Sequence, residues 1–316
     1  MRRVALIYNP ASGQHSGRRA SYIQSALAVL RKAGIEAEAL ETHAPGSGKT
    51  LALAAVRQGY DAVLACGGDG TVHEVLQPLV GTNVALGVLP LGTANALAQN
   101  LGLGGNPVKA ARALLHAQPM EVPVGRIFFQ EIHGAIGWRY FTVAAGVGAD
   151  ALLMSSMDPE LKRRFGYALY MLEAFKIWAS HPFPLFDASF SINGNGDPRV
   201  EQVSQLLAIR IRSFGGALGV LAPGATLRKK DLSLVAFKTR SRLEYMRFLL
   251  ATLVGRQTFS RSIELLDADA VECRPINGSK IKVFVEADGE VLGSLPARME
   301  LARETLTLLV PPGAQP

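Results

Sequence analysis

The stretch that most constrains this chain is a continuous apolar run, Ala62–Cys66, that passes without a break into Gly67-Gly68-Asp69-Gly70-Thr71 and then into a helical pattern. A short apolar run bounded by glycines reads as a strand buried on both faces. Successive glycines let the backbone turn tightly and approach a ligand closely. The helix beyond them is expected to begin near Thr71, where free N–H groups and the positive dipole end suit a phosphate. Asp69 is electrostatically odd in such a loop. It makes sense if a divalent cation or a reacting hydroxyl lies between it and the phosphates. The plainer alternative is a glycine turn with Asp69 as helix N-cap.

The same strand-loop-helix grammar recurs through the first third. Strands are expected at Arg3–Tyr8, Ile35–Thr42 and Val84–Leu89, and helices at Arg18–Ala33, Lys49–Gln58, Thr71–Val80 and Thr93–Leu101. Alternating strands and helices predict a parallel sheet covered on both faces, an α/β domain over residues 1–125. Beyond Pro123 the texture changes to short alternating runs, at Arg139–Ala144, Asp187–Ile192, Gln205–Arg212, Ser233–Lys238, Ser262–Leu266, Lys280–Glu286 and Arg298–Leu301. Turn residues such as Asn193-Gly194-Asn195-Gly196 and Asn277-Gly278 separate them. That is an antiparallel pattern, interrupted by helices near Leu161–Ser180 and Arg242–Val254. Residues 126–316 are therefore expected to form a β-rich domain packed closely on the first over a cleft.

In a parallel sheet, loops at the carboxyl ends of neighbouring strands converge on one crevice. Four such ends carry small polar residues. They are Asn9-Pro10-Ala11-Ser12-Gly13, Thr42, the Gly67–Thr71 loop, and Pro90-Leu91-Gly92-Thr93-Ala94-Asn95. Thr93 and Asn95 carry hydroxyl and amide groups for a nucleotide, or else Thr93 simply caps its helix. One composite site explains the four loops better than four unrelated turns.

These motifs, in this order, resemble the diacylglycerol kinase catalytic domain family, and most of all its soluble bacterial lipid kinases. The resemblance rests on Asn9–Gly13, Gly67–Val75 and Pro90–Asn95. It continues at Gly146-Val147-Gly148-Ala149-Asp150, Lys162–Tyr167, Ala222-Pro223 and Asp288-Gly289-Glu290, and so spans nearly the whole chain. It implies an NAD kinase/diacylglycerol kinase-like α/β domain followed by an antiparallel β-sandwich, with ATP between them and a γ-phosphate passed to a lipid hydroxyl, that of diacylglycerol or a related glycerolipid. By position it implies that Thr42, Gly68–Glu74 and Thr93 hold ATP. Asp69 would face the phosphates or the Mg2+ that ATP carries, Asp288 would stand beside the reaction, and Glu290 would take the proton. A solvated Asp-Gly hairpin turn is the plainer reading of residues 288–290. Sphingoid-base and NAD kinases share parts of the pattern, although the paired Asn-Glu segment of NAD kinases is missing. A non-catalytic nucleotide-binding regulator on the same fold is the remaining alternative.

One departure matters. The resemblance implies an acidic segment after Ala222-Pro223 that binds an accessory structural Mg2+. This chain reads Leu227-Arg228-Lys229-Lys230-Asp231 there. Mg2+ takes oxygen ligands and cations supply none, so the accessory site is not expected. Lys229 or Lys230 is a candidate to supply positive charge in its place.

Other signals are weaker. Pro45-Gly46-Ser47-Gly48-Lys49-Thr50 imitates the end of a P-loop, but His43 stands where its first glycine belongs. Gly146–Asp150 lacks the third glycine of a dinucleotide fingerprint, although Asp150 is placed to line the cleft. The six His show no ligand spacing, and His73 is expected at the surface or behind the site. Cys66 and Cys273 lie in apolar runs and read as reduced core thiols. The apolar run Val4–Tyr8 is too short for a secretory signal. A net charge of +7 favours anionic partners in general. Without a recognition motif, nucleic acid is not expected. Lys162-Arg163-Arg164-Phe165 and Lys176-Ile177-Trp178 mix cations with aromatics, as helices on anionic membranes do. A cytoplasmic protein, peripheral at the inner face of the membrane, is the resulting expectation.

Overall fold

The computed structural model describes residues 1–12, 16–156, 167–192, 197–214, 219–256, 259–276, 278 and 281–316. By contacts the chain divides into two units, Met1–Val124 with Arg303–Pro316, and Gly125–Ala302. The texture of the sequence put the last residues with the β-rich half, but they return to the first unit.

In the first unit, strands β1 (Arg3–Tyr8), β2 (Glu36–Glu41), β3 (Ala62–Gly67) and β4 (Ala85–Pro90) are joined by helices α1 (Ser16–Lys32), α2 (Ser47–Arg57) and α3 (Asp69–Leu76). Two further helices, α4 (Ala96–Asn100) and α5 (Pro107–Leu114), follow β4. The strand order is β2-β1-β3-β4, all parallel. A fifth, parallel strand is added where Leu308 pairs with Leu86. Every residue of β3 and β4 is buried, because helices cover both faces: α1 packs on α5, and α2 on α3. That explains why these strands read as unbroken apolar runs. The α5 helix was not anticipated. It carries a plain start signal, Asn106 accepting from Val108 and Lys109 N–H with Pro107 behind it.

The second unit is antiparallel. Its strands are β6 (Ile136–Phe141), β7 (Ala144–Val147), β8 (Phe186–Ser191), β9 (Arg199–Val203), β10 (Gln205–Ile209), β11 (Leu232–Phe237), β12 (Ile263–Ala268), β13 (Ala270–Pro275) and β14 (Phe284–Ala287). Two long strands, β5 (Gln118–Gln130) and β15 (Glu290–Val310), run across the division between the units. One row is β12-β11-β10-β7-β14-β15, and a second runs β9-β8-β13-β15. Alternate residues of both rows enter one core: Phe186, Ala188 and Phe190 of β8, Leu206 and Ala208 of β10, Leu232, Leu234 and Ala236 of β11, Val271 and Cys273 of β13. That period of two is what a sandwich requires. Among the described residues the unit also carries helices α6 (Ala149–Ser156), α7 (Tyr167–Ser180) and α8 (Arg242–Leu253). The expected helix Leu161–Ser180 is described only from Tyr167 on. Residues 162–166 and the turn 193–196 lie outside the described residues. Both cysteines are buried and free.

Candidate functional site

Because β1, β3 and β4 run parallel, the loops after Tyr8, Gly67 and Pro90 all leave the same edge of the sheet. Between β1 and β3 the chain order reverses, which is where α/β sheets bind ligands. The loops are held by one another. Leu91 and Gly92 donate N–H bonds to Gly67 O at 2.9 and 3.2 Å. A Cβ on Gly92 would lie 2.4 Å from the Gly68 Cα, and one on Gly67 would meet the buried Thr71 hydroxyl. These glycines are required for close approach.

Two carboxylates stitch the edge together. Asp69 accepts the N–H groups of Asn95 (3.0 Å) and Ala96 (2.7 Å). It occupies the first turn of α3, whose N-cap is Gly68. Its carboxylate therefore caps α4, a neighbouring helix. Glu74, one turn further along α3, accepts from Gly46 (2.7 Å) and Gly48 (2.9 Å) at the start of α2. The P-loop-like segment thus spends those amides on an internal carboxylate. Asn95 sits in the left-handed region (φ 51°), and its amide is taken by both main-chain groups of Gly92. It shapes the loop, where the sequence suggested an amide offered to a ligand. Asn9 accepts from Ala11 N–H at 2.8 Å, and Ser12 N–H returns to Asn9 O at 3.2 Å. Thr42 is buried, with its N–H on Tyr8 O. Thr93 is exposed at the edge. Gly13 lies outside the described residues. His73 is buried on α3, which leaves the position behind the site, of the two expected for it.

The Asp288-Gly289-Glu290 turn belongs to the second unit, and its two acids have different surroundings. Asp288 (φ 50°) is buried, and its carboxylate accepts the N–H groups of Thr142, Val143 and Ala144 at 2.8–3.2 Å. Its own N–H returns to Ala144 O at 2.8 Å. Glu290, at the first position of β15, is exposed. The turn is braced from below by Glu286, whose Oε2 accepts Gly289 N–H at 2.8 Å. Glu286 also hydrogen-bonds Asp150. Both carboxyls crowd Gly146, where a Cβ would lie 1.7 Å from Asp150 Oδ2 and 2.9 Å from Glu286 Oε1. Burial, and then the charge of Asp150, hold the Glu286 carboxyl well above the usual carboxylate range, while burial pushes Asp150 up to about 7. Glu286 is the protonated partner, donating to Asp150. Sequence reading missed Glu286. The available signal was a carboxylate inside an otherwise apolar strand, Val283 to Ala287.

Among the described residues, no group of three or more His, Cys, Asp and Glu could hold a metal. The segment 227–231, where the resemblance implies an accessory Mg2+, offers one acid among three cations. Its carbonyls at Leu227, Lys229 and Asp231 accept from the Arg210 guanidinium. The residues present do not fit that ion.

A parallel α/β unit with glycine loops at its switch edge, joined to an antiparallel sandwich carrying an Asp-Gly-Glu turn, defines the NAD kinase/diacylglycerol kinase type of fold. Residues 3–127 match the diacylglycerol kinase catalytic domain family, and residues 142–310 match the YegS C-terminal NAD kinase beta sandwich-like domain. The second match alone covers more than half of the chain, and the chain belongs to this family. It is 28% identical to a diacylglycerol kinase of Bacillus subtilis over 301 residues, 94% of this chain and 92% of that protein. The crystal structure of a diacylglycerol kinase from Bacillus anthracis superposes with a TM-score of 0.70 at 18% identity, covering 99% of this chain and 98% of that one. Yeast NADH kinase complexed with NADH shares the fold at a TM-score of 0.52 and 10% identity, over 98% of this chain and 83% of that one.

Proposed function

We propose that this protein is an ATP-dependent lipid kinase that phosphorylates a hydroxyl of diacylglycerol or a related glycerolipid. The observation that carries the reading is the loop edge braced by Asp69 and Glu74, which presents the first turn of α3 at the sheet's switch point. Helix-start N–H groups have no partner within their own helix, and a polyphosphate takes such donors. Gly68, Gly70, Thr71 and the exposed Thr93 are the groups we assign to ATP, together with Asn9, Pro10, Ser12, Gly13 and Thr42. Asp69 and Glu74 act by fixing the loops. Mg2+ carried with ATP would neutralise phosphate charge as the phosphoryl group transfers.

For the acceptor we assign Glu290 as general base and Asp288 as a positioning residue. The reasoning is chemical: three N–H groups already occupy Asp288, whereas Glu290 is exposed. As the lipid oxygen bonds to the γ-phosphorus, the bond to the β-bridging oxygen breaks, ADP leaves, and the hydroxyl proton passes to the Glu290 carboxylate. A positioned base contributes about 10²–10⁴-fold. Incubation with labelled ATP, Mg2+ and a lipid panel tests this. Labelled phospholipid should form, and Glu290→Ala should lose it by about that factor while still binding ATP. A Glu290→Ala enzyme with wild-type turnover removes Glu290 from the role, and labelling of NAD in place of lipid overturns the acceptor.

Peripheral contact with an anionic membrane at the cytoplasmic face is part of the same proposal. Helices α7 and α8 touch through Trp178 Nε1 and Arg242 O (2.9 Å). They expose Leu172 and Phe175, and Leu243, Leu250 and Leu253 with the following Val254, beside Lys176, Arg242, Arg247 and Arg256. Apolar groups flanked by cations suit an acidic bilayer surface. Among the described residues no helix is long and apolar enough to cross a membrane. Sedimentation with phosphatidylglycerol vesicles, but not with phosphatidylcholine vesicles, is the expected result. Equal binding to both would remove the electrostatic part.

A further inference from the structure

Arg210, directly after β10, is among the largest side chains taken wholly out of water, at 1% exposure. Its guanidinium gathers one turn of chain. Nη1 donates to Lys229 O at 2.9 Å and Asp231 O at 3.0 Å, and Nη2 donates to Leu227 O at 3.0 Å. Burying a cation costs several kcal/mol unless its donors are satisfied. Carbonyls from alternate residues, pointed at one centre, satisfy three of its five N–H donors. Burial pushes the guanidinium down to about 10, with Asp231 opposing, so it remains charged at neutral pH.

A second cation ties the same turn to the sandwich. Lys229 Nζ donates to Ser233 Oγ of β11 at 3.1 Å and to the Asp267 carboxylate of β12, and Ser233 Oγ donates to Asp267 at 3.1 Å. Convergent carbonyls around a positive centre are what a hard divalent ion ordinarily collects. Here the centre is a side chain fixed to the neighbouring strand, and Lys229, one of the two cations expected to substitute, is secured to Asp267.

We propose that Arg210 is the resident cation of the Leu227–Asp231 turn, and that this chain therefore holds the turn without the accessory Mg2+ its family resemblance implies. The inference does not depend on which substrate is phosphorylated.

The test uses the full chain without nucleotide, stripped with EDTA and desalted. Its melting and the amide exchange of Leu227–Asp231 should be superimposable with and without millimolar Mg2+. Arg210→Met should accelerate exchange of those amides roughly tenfold or more, the worth of one charge-assisted bond. Should that variant fail to fold, Arg210→Lys carries the test. A single ammonium cannot span three carbonyls as a planar fork does, so exchange in the turn should again quicken. Wild-type exchange in both variants would overturn the proposal. So would a wild-type protein whose turn loosens on EDTA treatment and tightens again with Mg2+.

Discussion

Asp288→Ala separates the two acids of the Asp-Gly-Glu turn by their effects. In the native protein one buried carboxylate receives three consecutive N–H groups, from Thr142, Val143 and Ala144. Alanine leaves all three donors without that acceptor. A buried donor left unpaired costs about 1–3 kcal/mol. Three at the lower half of that range, with some entry of water, give about 4 kcal/mol. At about 2–4 °C per kcal/mol for a domain of this size, melting should fall by roughly 8–16 °C. Asp288→Asn keeps Oδ1, which serves all three donors, and loses the charge and Oδ2, so about half that loss is expected. Urea unfolding combined with hydrogen exchange resolves the site, because Thr142–Ala144 amides should exchange early in the alanine variant. Glu290→Ala, at an exposed position, should melt like wild type and lose only activity. If Asp288→Ala leaves both melting and the exchange of those three amides unchanged, the carboxylate is not the brace described here.

Three further outcomes follow from the same geometry. Gly92→Ala must push apart two loops whose Cα-to-Cβ distance would be 2.4 Å, so ATP affinity measured by calorimetry should drop well over tenfold with little loss of lipid binding; unchanged ATP affinity contradicts the close approach. Asp150 and Glu286, which also face Asp288 and Tyr245, both have their carboxyls raised above their unfolded values by burial. The folded state thus binds more protons than the unfolded one between about pH 4 and pH 7, and stability should fall as pH rises through that window. Glu286→Gln, a neutral isostere, should flatten that slope in urea titrations, and an unchanged slope would put the charge elsewhere. Burial raises the thiol of Cys66 to about 12 and raises that of Cys273 as well, so a thiol reagent should be silent on the native protein at pH 8 and label both cysteines only on unfolding.

What sequence made legible was set by periodicity and by glycine. The β3 strand and its loop stand out because a run buried on both faces is apolar at every position, and because Gly67, Gly68 and Gly92 are demanded by contact. Asp69 and Glu74 were visible as acids in a phosphate-type loop, yet their partners are main-chain amides 26–28 residues away. No local pattern reports such pairs. Strands β9 and β13 were overlooked because their solvent faces carry Arg199, Glu201, Glu272 and Arg274, which dilute the alternation. The early part of β15 escaped because Pro296 and Gly293 read as turn residues. Arg210 was hidden in Ile209-Arg210-Ile211-Arg212, where an outward-facing arginine is the ordinary expectation and the buried one is indistinguishable by spacing.

The last eight residues of β15 have a bearing on any attempt to dissect the protein. They flank β4, pairing with it at Leu308 and Leu86, and the six residues of β4 are wholly sequestered. A fragment ending at Val124 would bare that flank, leaving a row of unpaired amides and carbonyls along an aliphatic ribbon, the kind of margin that recruits other chains. Such a piece should clump, and a synthetic peptide of residues 303–316 should restore its solubility. On that outcome, the catalytic-domain match to residues 3–127 would be shorter than the smallest part that can be handled by itself.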